Sequence, residues 1–233
     1  MDPDEKTKPM QATDHRLCRG RLVAWATILP GTACLEAIID RPASMVEPWK
    51  MTALPRAFYQ RDPRQVAPDL LNKILARSDG RAGRIIEVEA YCGAEDPAAH
   101  TFRGETRRNR TMFGPGGHLY VYFTYGMHWC CNTVCGEAGQ GWGVLIRAIE
   151  PVAGIELMRA ARPRASDRTL ASGPARLAQA LGINGTFDGA DLVLGDRGVR
   201  VVSDGTAPPG VPRVGPRVGI SRGKELPWRW RTG

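Results

Sequence analysis

The chain has 233 residues, 42% of them hydrophobic and 24% charged. That is enough apolar material for one good core and excludes a wholly disordered chain. A net charge of +8 favours an anionic partner, and because the first 53 residues carry seven charges of each sign, the whole excess belongs to residues 54–233.

The opening segment differs from the rest of the chain. It runs from an acidic start through Arg16-Leu-Cys-Arg-Gly-Arg21 into Leu22-Val-Ala-Trp-Ala-Thr-Ile-Leu29. The apolar run is far too short for a bilayer, which needs roughly 20 residues. The acidic start and Pro30 argue against a signal peptide. Residues 1–53 are therefore expected to be an extension, disordered or a product of start-site assignment upstream of Met45 or Met51, with the folded domain spanning 54–233. The six cysteines (Cys18, Cys34, Cys92, Cys130, Cys131, Cys135) contain no C-x-x-C pair. A reduced, cytoplasmic protein is expected rather than a disulfide framework. His128 with Cys130, Cys131 and Cys135 matches no common zinc spacing, so no metal is expected.

Pro68-Asp-Leu-Leu-Asn-Lys-Ile-Leu-Ala76 places a proline before apolar residues at helical spacing and predicts a helix over 68–76. Asp79-Gly80 reads as a turn, and Arg84-Ile-Ile-Glu-Val-Glu-Ala-Tyr91 as a strand. Alternation puts Ile86, Val88 and Ala90 on one face and Glu87, Glu89 and Tyr91 on the other. Two carboxylates on a rigid support suit a general base, although two solvated glutamates have the same pattern. Residues 93–118 are glycine-rich and poor in apolar side chains, which makes a long loop and, in a compact domain, a functional one.

Leu119-Tyr-Val-Tyr-Phe-Thr-Tyr125 is rich in aromatic and β-branched residues and predicts a strand; Gly126 marks a bend, and Met127–Val134 returns beside it. A further strand is expected over Val144–Ile149, ending before Pro151. A basic helix is expected over Ile155–Arg162, and a second over Ala175–Leu181 between Ser172-Gly-Pro174 and Gly182. The last fifty residues read as short strands and turns. The fold class expected is α+β, one mixed domain around a mainly antiparallel sheet flanked by helices.

Four features point toward nucleic acid. Tyr91, Tyr120, Tyr122 and Tyr125 cluster in the sequence, and Tyr125, beside the expected hairpin tip, has no core to fill but could wedge between bases. Arg103, Arg107, Arg108 and Arg110 in the long loop suit phosphate contacts. Arg147, in an apolar strand, needs a carboxylate partner, which Glu89 or Glu150 could supply. Asn132 in the returning strand must have its amide hydrogen-bonded.

Glu87-Val-Glu-Ala-Tyr91, Glu95-Asp-Pro-Ala-Ala-His100, Arg108-Asn-Arg110 with Met112-Phe113, Leu119-Tyr-Val-Tyr122, Tyr125-Gly-Met127, Asn132, Leu145-Ile-Arg-Ala-Ile-Glu-Pro151 and Ser172-Gly-Pro174 follow in this order. Together they resemble the alkyladenine (3-methyladenine) DNA glycosylase family over residues 54–230. The resemblance implies a curved sheet and a monofunctional enzyme of base excision repair. It would flip damaged purines out of duplex DNA and hydrolyse their N-glycosidic bond without a cofactor. By the same resemblance Glu89 is the general base and Arg147 orients it. Tyr91, His100 and Tyr122 sandwich the base, the His100 N–H reads its edge, and Asn132 disfavours normal guanine. Tyr125 fills the gap in the duplex with Met127 beside it. The partner implied is double-stranded DNA, bound by a monomer with no membrane association, in a bacterial cytoplasm or a eukaryotic nucleus. The chain departs from the family pattern at Cys92 and at His128-Trp-Cys-Cys131, both beside the expected pocket. A non-catalytic module for distorted duplexes and a hydrolase of small N-glycosides remain the alternatives.

Overall fold

The computed structural model describes residues 47–233. The run Leu22–Leu29, Cys18, Cys34, Met45 and nearly all of the expected extension lie outside the described residues. The described strands are β1 (Thr52–Ala53), β2 (Ile74–Arg77), β3 (Ala82–Cys92), β4 (His118–Thr124), β5 (His128–Cys135), β6 (Trp142–Ala153), β7 (Ala190–Asp191), β8 (Val199–Ser203), β9 (Arg213–Gly215) and β10 (Arg229–Arg231). The helices are α1 (Arg56–Tyr59), α2 (Pro63–Leu70), α3 (Ile155–Ala161) and α4 (Pro174–Leu181). The α+β class holds: a single domain whose antiparallel sheet curls into a half-barrel. The sheet order is β1-β8-β2-β3-β6-β5-β4-β7, with β10 joining the edge of β3 that β2 leaves free and carrying β9 outside it. The sheet begins before residue 54, since Thr52 and Ala53 pair with Ser203 and Val202.

Three local expectations need correction. The helix expected over 68–76 starts at Pro63, where Asp62 caps it by accepting from the Arg64 N–H at 2.7 Å. Pro68 lies inside the helix, and Asn72 at φ 67° ends it decisively. Ile74, Leu75 and Ala76 form β2 and are all buried, so no alternation distinguishes this strand from a helical run. The strand over Val144–Ile149 continues through Pro151 to Ala153. Because β5 pairs only with Trp142–Leu145, the far half of β6 has one edge with no ladder to interrupt, where a proline is tolerated.

The third correction shapes the site. Ile85 pairs with Ile149 and Glu87 with Ala148, leaving Ile86 as the extra residue of a β-bulge. Ile85, Val88 and Ala90 are therefore the core-facing residues, and Ile86 is only half-buried. The bulge bends β3 and restores the alternation beyond it. Val88, Ala90, Val144, Ile146, Val121 and Cys131 pack with Leu70 of α2, Met158 of α3 and Leu177 and Leu181 of α4. The opposite face carries one register row running across five strands: Arg229, Glu89, Leu145, Asn132 and Tyr120.

The long loop between β3 and β4 contains only short turns, at Gly93–Glu95 and Arg110–Phe113. Asn109, buried within it, donates its amide to the carbonyls of His100 (2.9 Å) and Gly104 (3.1 Å) and accepts from the Thr106 N–H. Its end is pinned where the Gly116 N–H meets the Gly136 carbonyl and the Gly136 N–H meets that of Tyr59. A Cβ on Gly116 would lie 2.9 Å from the Gly136 oxygen and 3.0 Å from the Tyr59 oxygen. These are backbone atoms that cannot swing aside. Gly116→Ala is expected to lower unfolding free energy in urea by about 2 kcal/mol. Gly210→Ala, where a Cβ meets nothing within 4 Å, is expected to leave the midpoint unchanged.

Candidate active site

Glu89 sits at the centre of the register row with no exposed side-chain surface. A carboxylate in that position is tolerable only if its lone pairs are used. It accepts from the Tyr91 hydroxyl at 2.9 Å and the Val218 N–H at 2.8 Å, and pairs with the Arg147 guanidinium at 3.2 Å. Arg147 also donates to Glu87 at 2.9 Å, and Arg229 reaches Glu87 at 3.2 Å. The Arg147 partners are thus Glu87 and Glu89, whereas Glu150, the other candidate from the sequence, is exposed. Burial raises the pKa of Glu89, while Arg147, the Val218 N–H and the Tyr91 hydroxyl pull it back toward ionisation. Burial opposes the charge on Arg147, but Glu89 and Glu87 outweigh it and keep the guanidinium cationic. Burial, reinforced by Glu89, holds the Tyr91 phenol neutral.

Beside this cluster lies a cavity of about 430 Å³, walled by Tyr91, His100, Tyr120, Tyr122, Cys130, Asn132, Leu145 and Arg147 among others. Its size and its mixture of aromatic walls with a few polar groups fit a bound heterocycle. Glu89 does not line it; the carboxylate lies behind Tyr91, Arg147 and Val218. His100 and Tyr122 meet edge to face, centroids 4.6 Å apart, and Tyr122 stacks on Tyr120 at 5.4 Å. No slot separates His100 from Tyr122, so a base entering between them must displace the His100 ring, which is open to solvent on one side. Partial burial, and secondarily the positive charge of Arg108, hold the His100 pKa below the usual imidazole value. The His100 N–H has no acceptor among the described residues. Asn132, expected to be hydrogen-bonded, is buried and makes no side-chain hydrogen bond among the described residues. Its amide faces the cavity instead.

The β4–β5 hairpin closes with Met127 N–H donating to the Thr124 carbonyl at 3.2 Å and with both central residues at positive φ, Tyr125 at 51° and Gly126 at 66°. That conformation costs a tyrosine about 1–2 kcal/mol. The side chain recovers nothing from the protein: Tyr125 is 81% exposed and Met127 beside it 68%. Phe123 and Trp129, in contact at 4.8 Å, brace the tip. The loop arginines divide. Arg103 and Arg107 are exposed and have no ion-pair partner among the described residues. Arg108 donates to the Phe123 carbonyl at 2.6 Å and ties loop to hairpin, and Arg110 pairs with Glu105 at 3.2 Å.

Sequence reasoning missed one wall. Val218, Gly219, Ile220 and Ser221 line the cavity from a segment far along the chain, and Pro174 at the start of α4 joins them. Only the contact between residues 217–221 and β3 brings them there, and no local pattern announces it. Cys92, Cys130, Cys131 and Cys135 are free and buried. No helix among the described residues is long and apolar enough to cross a membrane.

An enclosed carboxylate behind an aromatic cavity, with an exposed tyrosine at the neighbouring hairpin tip, suits an enzyme that acts on an extruded base. The chain belongs to the methylpurine-DNA glycosylase family, which it matches over residues 57–233. It is 64% identical over 191 residues to a Burkholderia cenocepacia protein named "Putative 3-methyladenine DNA glycosylase", covering 82% of this chain and 92% of that one. Proteins of the same name from Koribacter versatilis (48% over 187 residues; 78% and 90% covered) and Streptomyces avermitilis (49% over 185 residues; 77% and 87%) are similar as well.

Arg147→Gln leaves Glu87 and Glu89 facing one another without their shared cation. It is expected to cost about 3 kcal/mol of stability at pH 7. The loss should shrink on acidification, because in the folded variant Glu89, its pKa raised further without Arg147, takes up a proton that the unfolded chain does not. Urea unfolding at pH 7 and pH 5 measures both effects.

Proposed function

We propose that this protein releases alkylated and deaminated purines, of the 3-methyladenine type, from duplex DNA by hydrolysing the N-glycosidic bond, and so initiates base excision repair. The observation that carries this reading is Glu89: a wholly buried carboxylate, held by three donors behind an aromatic cavity, on the same sheet face as an exposed tyrosine at a strained turn.

Tyr125 enters the duplex and occupies the space the purine leaves, with Met127 against the neighbouring pair. Tyrosine suits this because one face stacks on bases regardless of sequence. Damaged purines cost less to unstack, and once extruded they meet a π-rich wall. A purine methylated at N3 carries positive charge, which the faces of Tyr91, Tyr122 and a neutral His100 attract more strongly than a neutral base. His100 swings aside to admit the base, and its free N–H donates to the purine edge. Asn132, whose amide has no partner among the described residues, lies at the same wall and opposes the exocyclic amine of guanine.

A cationic base such as 3-methyladenine leaves without being protonated, so its release requires one carboxylate; a neutral deaminated purine takes up a proton from solvent water as its bond to C1′ breaks. As the C1′–N bond opens, the sugar becomes oxocarbenium-like; Glu89 stabilises that charge and takes a proton from the attacking water. Water reaches Glu89 past Tyr91 and Val218 when the bound nucleotide rearranges the cavity. Arg147 holds the carboxylate in place, and its own charge is balanced by Glu87. No lysine lines the cavity among the described residues, so an amine-linked intermediate has no local donor and the enzyme is monofunctional. Arg103 and Arg107 contact backbone phosphates, which makes binding salt-dependent. The protein acts as a monomer on duplex DNA, and a DNA substrate implies that it works beside the chromosome.

Glu89→Gln is expected to bind lesion duplex normally and to lose base release by at least about 100-fold. Alkali cleavage of the abasic product measures it, and full release by the variant would refute the assignment. In the wild type the acid limb of release should lie above the ordinary carboxylate value of 4.5, since Glu89 must be ionised and burial raises its pKa. Tyr125→Ala should weaken binding of lesion duplex by about 1–3 kcal/mol and leave saturated turnover intact. Unchanged affinity would make the tyrosine structural only.

A further inference from the structure

The Asp96–Arg217 ion pair has no part in base capture, hydrolysis or phosphate contact as proposed. Yet it is the only ion pair among the described residues in which neither side chain has any exposure. Burying two charges is costly unless the geometry is well matched and every remaining donor and acceptor is used. Asp96 meets this with two guanidinium contacts, at 2.5 and 2.8 Å, and accepts from the N–H groups of Cys92 (3.3 Å) and Ala98 (3.0 Å). Arg217 donates again to the Ala90 carbonyl at 2.9 Å and lies over the rings of Tyr91 (4.7 Å) and Trp228 (5.1 Å), although its buried Nε meets no acceptor among the described residues.

These contacts bracket Glu89. Ala90 follows it on β3, and Val218, whose N–H meets Glu89 at 2.8 Å, follows Arg217. Asp96 meanwhile fixes the turn from Cys92 to Ala98 that delivers Ala99 and His100 to the cavity. We propose that Asp96 and Arg217 are positioning residues: their pair sets the Val218 N–H against Glu89 and holds the His100 segment at the cavity wall. The inference rests on Glu89 being the general base. The pair acts through the carboxylate without touching substrate. Charged and titratable groups facing Glu89 are Glu87 and Tyr91 on its own strand, Arg147 on β6 and Arg217 on the C-terminal segment. Arg229 stands opposite it in the register on β10. Loosening the pair withdraws the one backbone donor in this set.

The test is single-turnover base release against pH, measured beside thermal unfolding and affinity for a duplex carrying an uncleavable lesion analogue. For a folded Asp96→Asn, release at neutral pH should fall about 10- to 100-fold, as loss of a charge-assisted hydrogen bond predicts. The acid limb should move up by about one pH unit, duplex affinity should fall by less than the rate, and Asp96→Glu should recover part of the rate. If Asp96→Asn does not fold, Arg217→Lys keeps the buried charge balanced but cannot fork, and is expected to show the same shift. A folded variant with wild-type rate and acid limb, or a rate loss that merely follows the folded fraction, overturns the proposal and leaves the base assignment standing. Wild-type release by Glu89→Gln removes that assignment, and this inference with it.

Discussion

A carboxylate with no contact with water has to be held by its surroundings, and most of the site can be understood as the means of holding Glu89. Tyr91, two residues along the same strand, supplies a hydroxyl; β6 supplies Arg147; the distant 217–221 segment supplies a backbone N–H. Each donor reaches the carboxylate from a different part of the chain, so Glu89 is placed accurately only once the whole sheet has formed. The second carboxylate, Glu87, takes up the rest of Arg147 and, with Arg229, makes a balanced set of two acids and two bases. Rigidity is the gain: each group in the cluster is oriented by at least one other.

The curled sheet explains how one face can serve both chemistry and recognition. The bulge at Ile86 bends β3 while returning Val88 and Ala90 to the core, so Glu87, Glu89 and Tyr91 share the open face. Register then sets Leu145, Asn132 and Tyr120 in line with Glu89. The β4–β5 hairpin that contributes two of the aromatic walls also projects Tyr125, so the cavity wall and the exposed ring belong to one element. A positive φ at a non-glycine residue with an exposed ring is hard to justify by folding alone; a partner that receives the ring justifies it.

Much of this was legible in the sequence because the site lies on strands with marked patterns. The alternation of Arg84–Tyr91, the aromatic run at 119–125 and the lone Arg147 are local signals, and they marked the acidic strand face, the aromatic cavity walls and the guanidinium that meets the carboxylates. What was not legible depended on contacts between distant segments. Nothing near Val218 marks its N–H as a ligand of Glu89, and nothing in the Glu95-Asp-Pro97 stretch says that Asp96 meets Arg217. Ile74–Ala76 could not be told from helix because all three residues are buried. The choice between Glu87 and Glu89 was likewise beyond alternation, which puts both on one face. Burial separates them, since Glu87 keeps some exposure and Glu89 has none.

Every role given to these residues depends on release of a damaged base, and that release can be measured directly. Purified protein incubated with duplexes carrying 3-methyladenine, hypoxanthine or ethenoadenine should convert at least one of them to an alkali-labile abasic site. Undamaged duplex should survive intact, and borohydride should trap no protein–DNA adduct. Absence of release from every lesion duplex, or a borohydride-trapped adduct, would overturn the proposed chemistry.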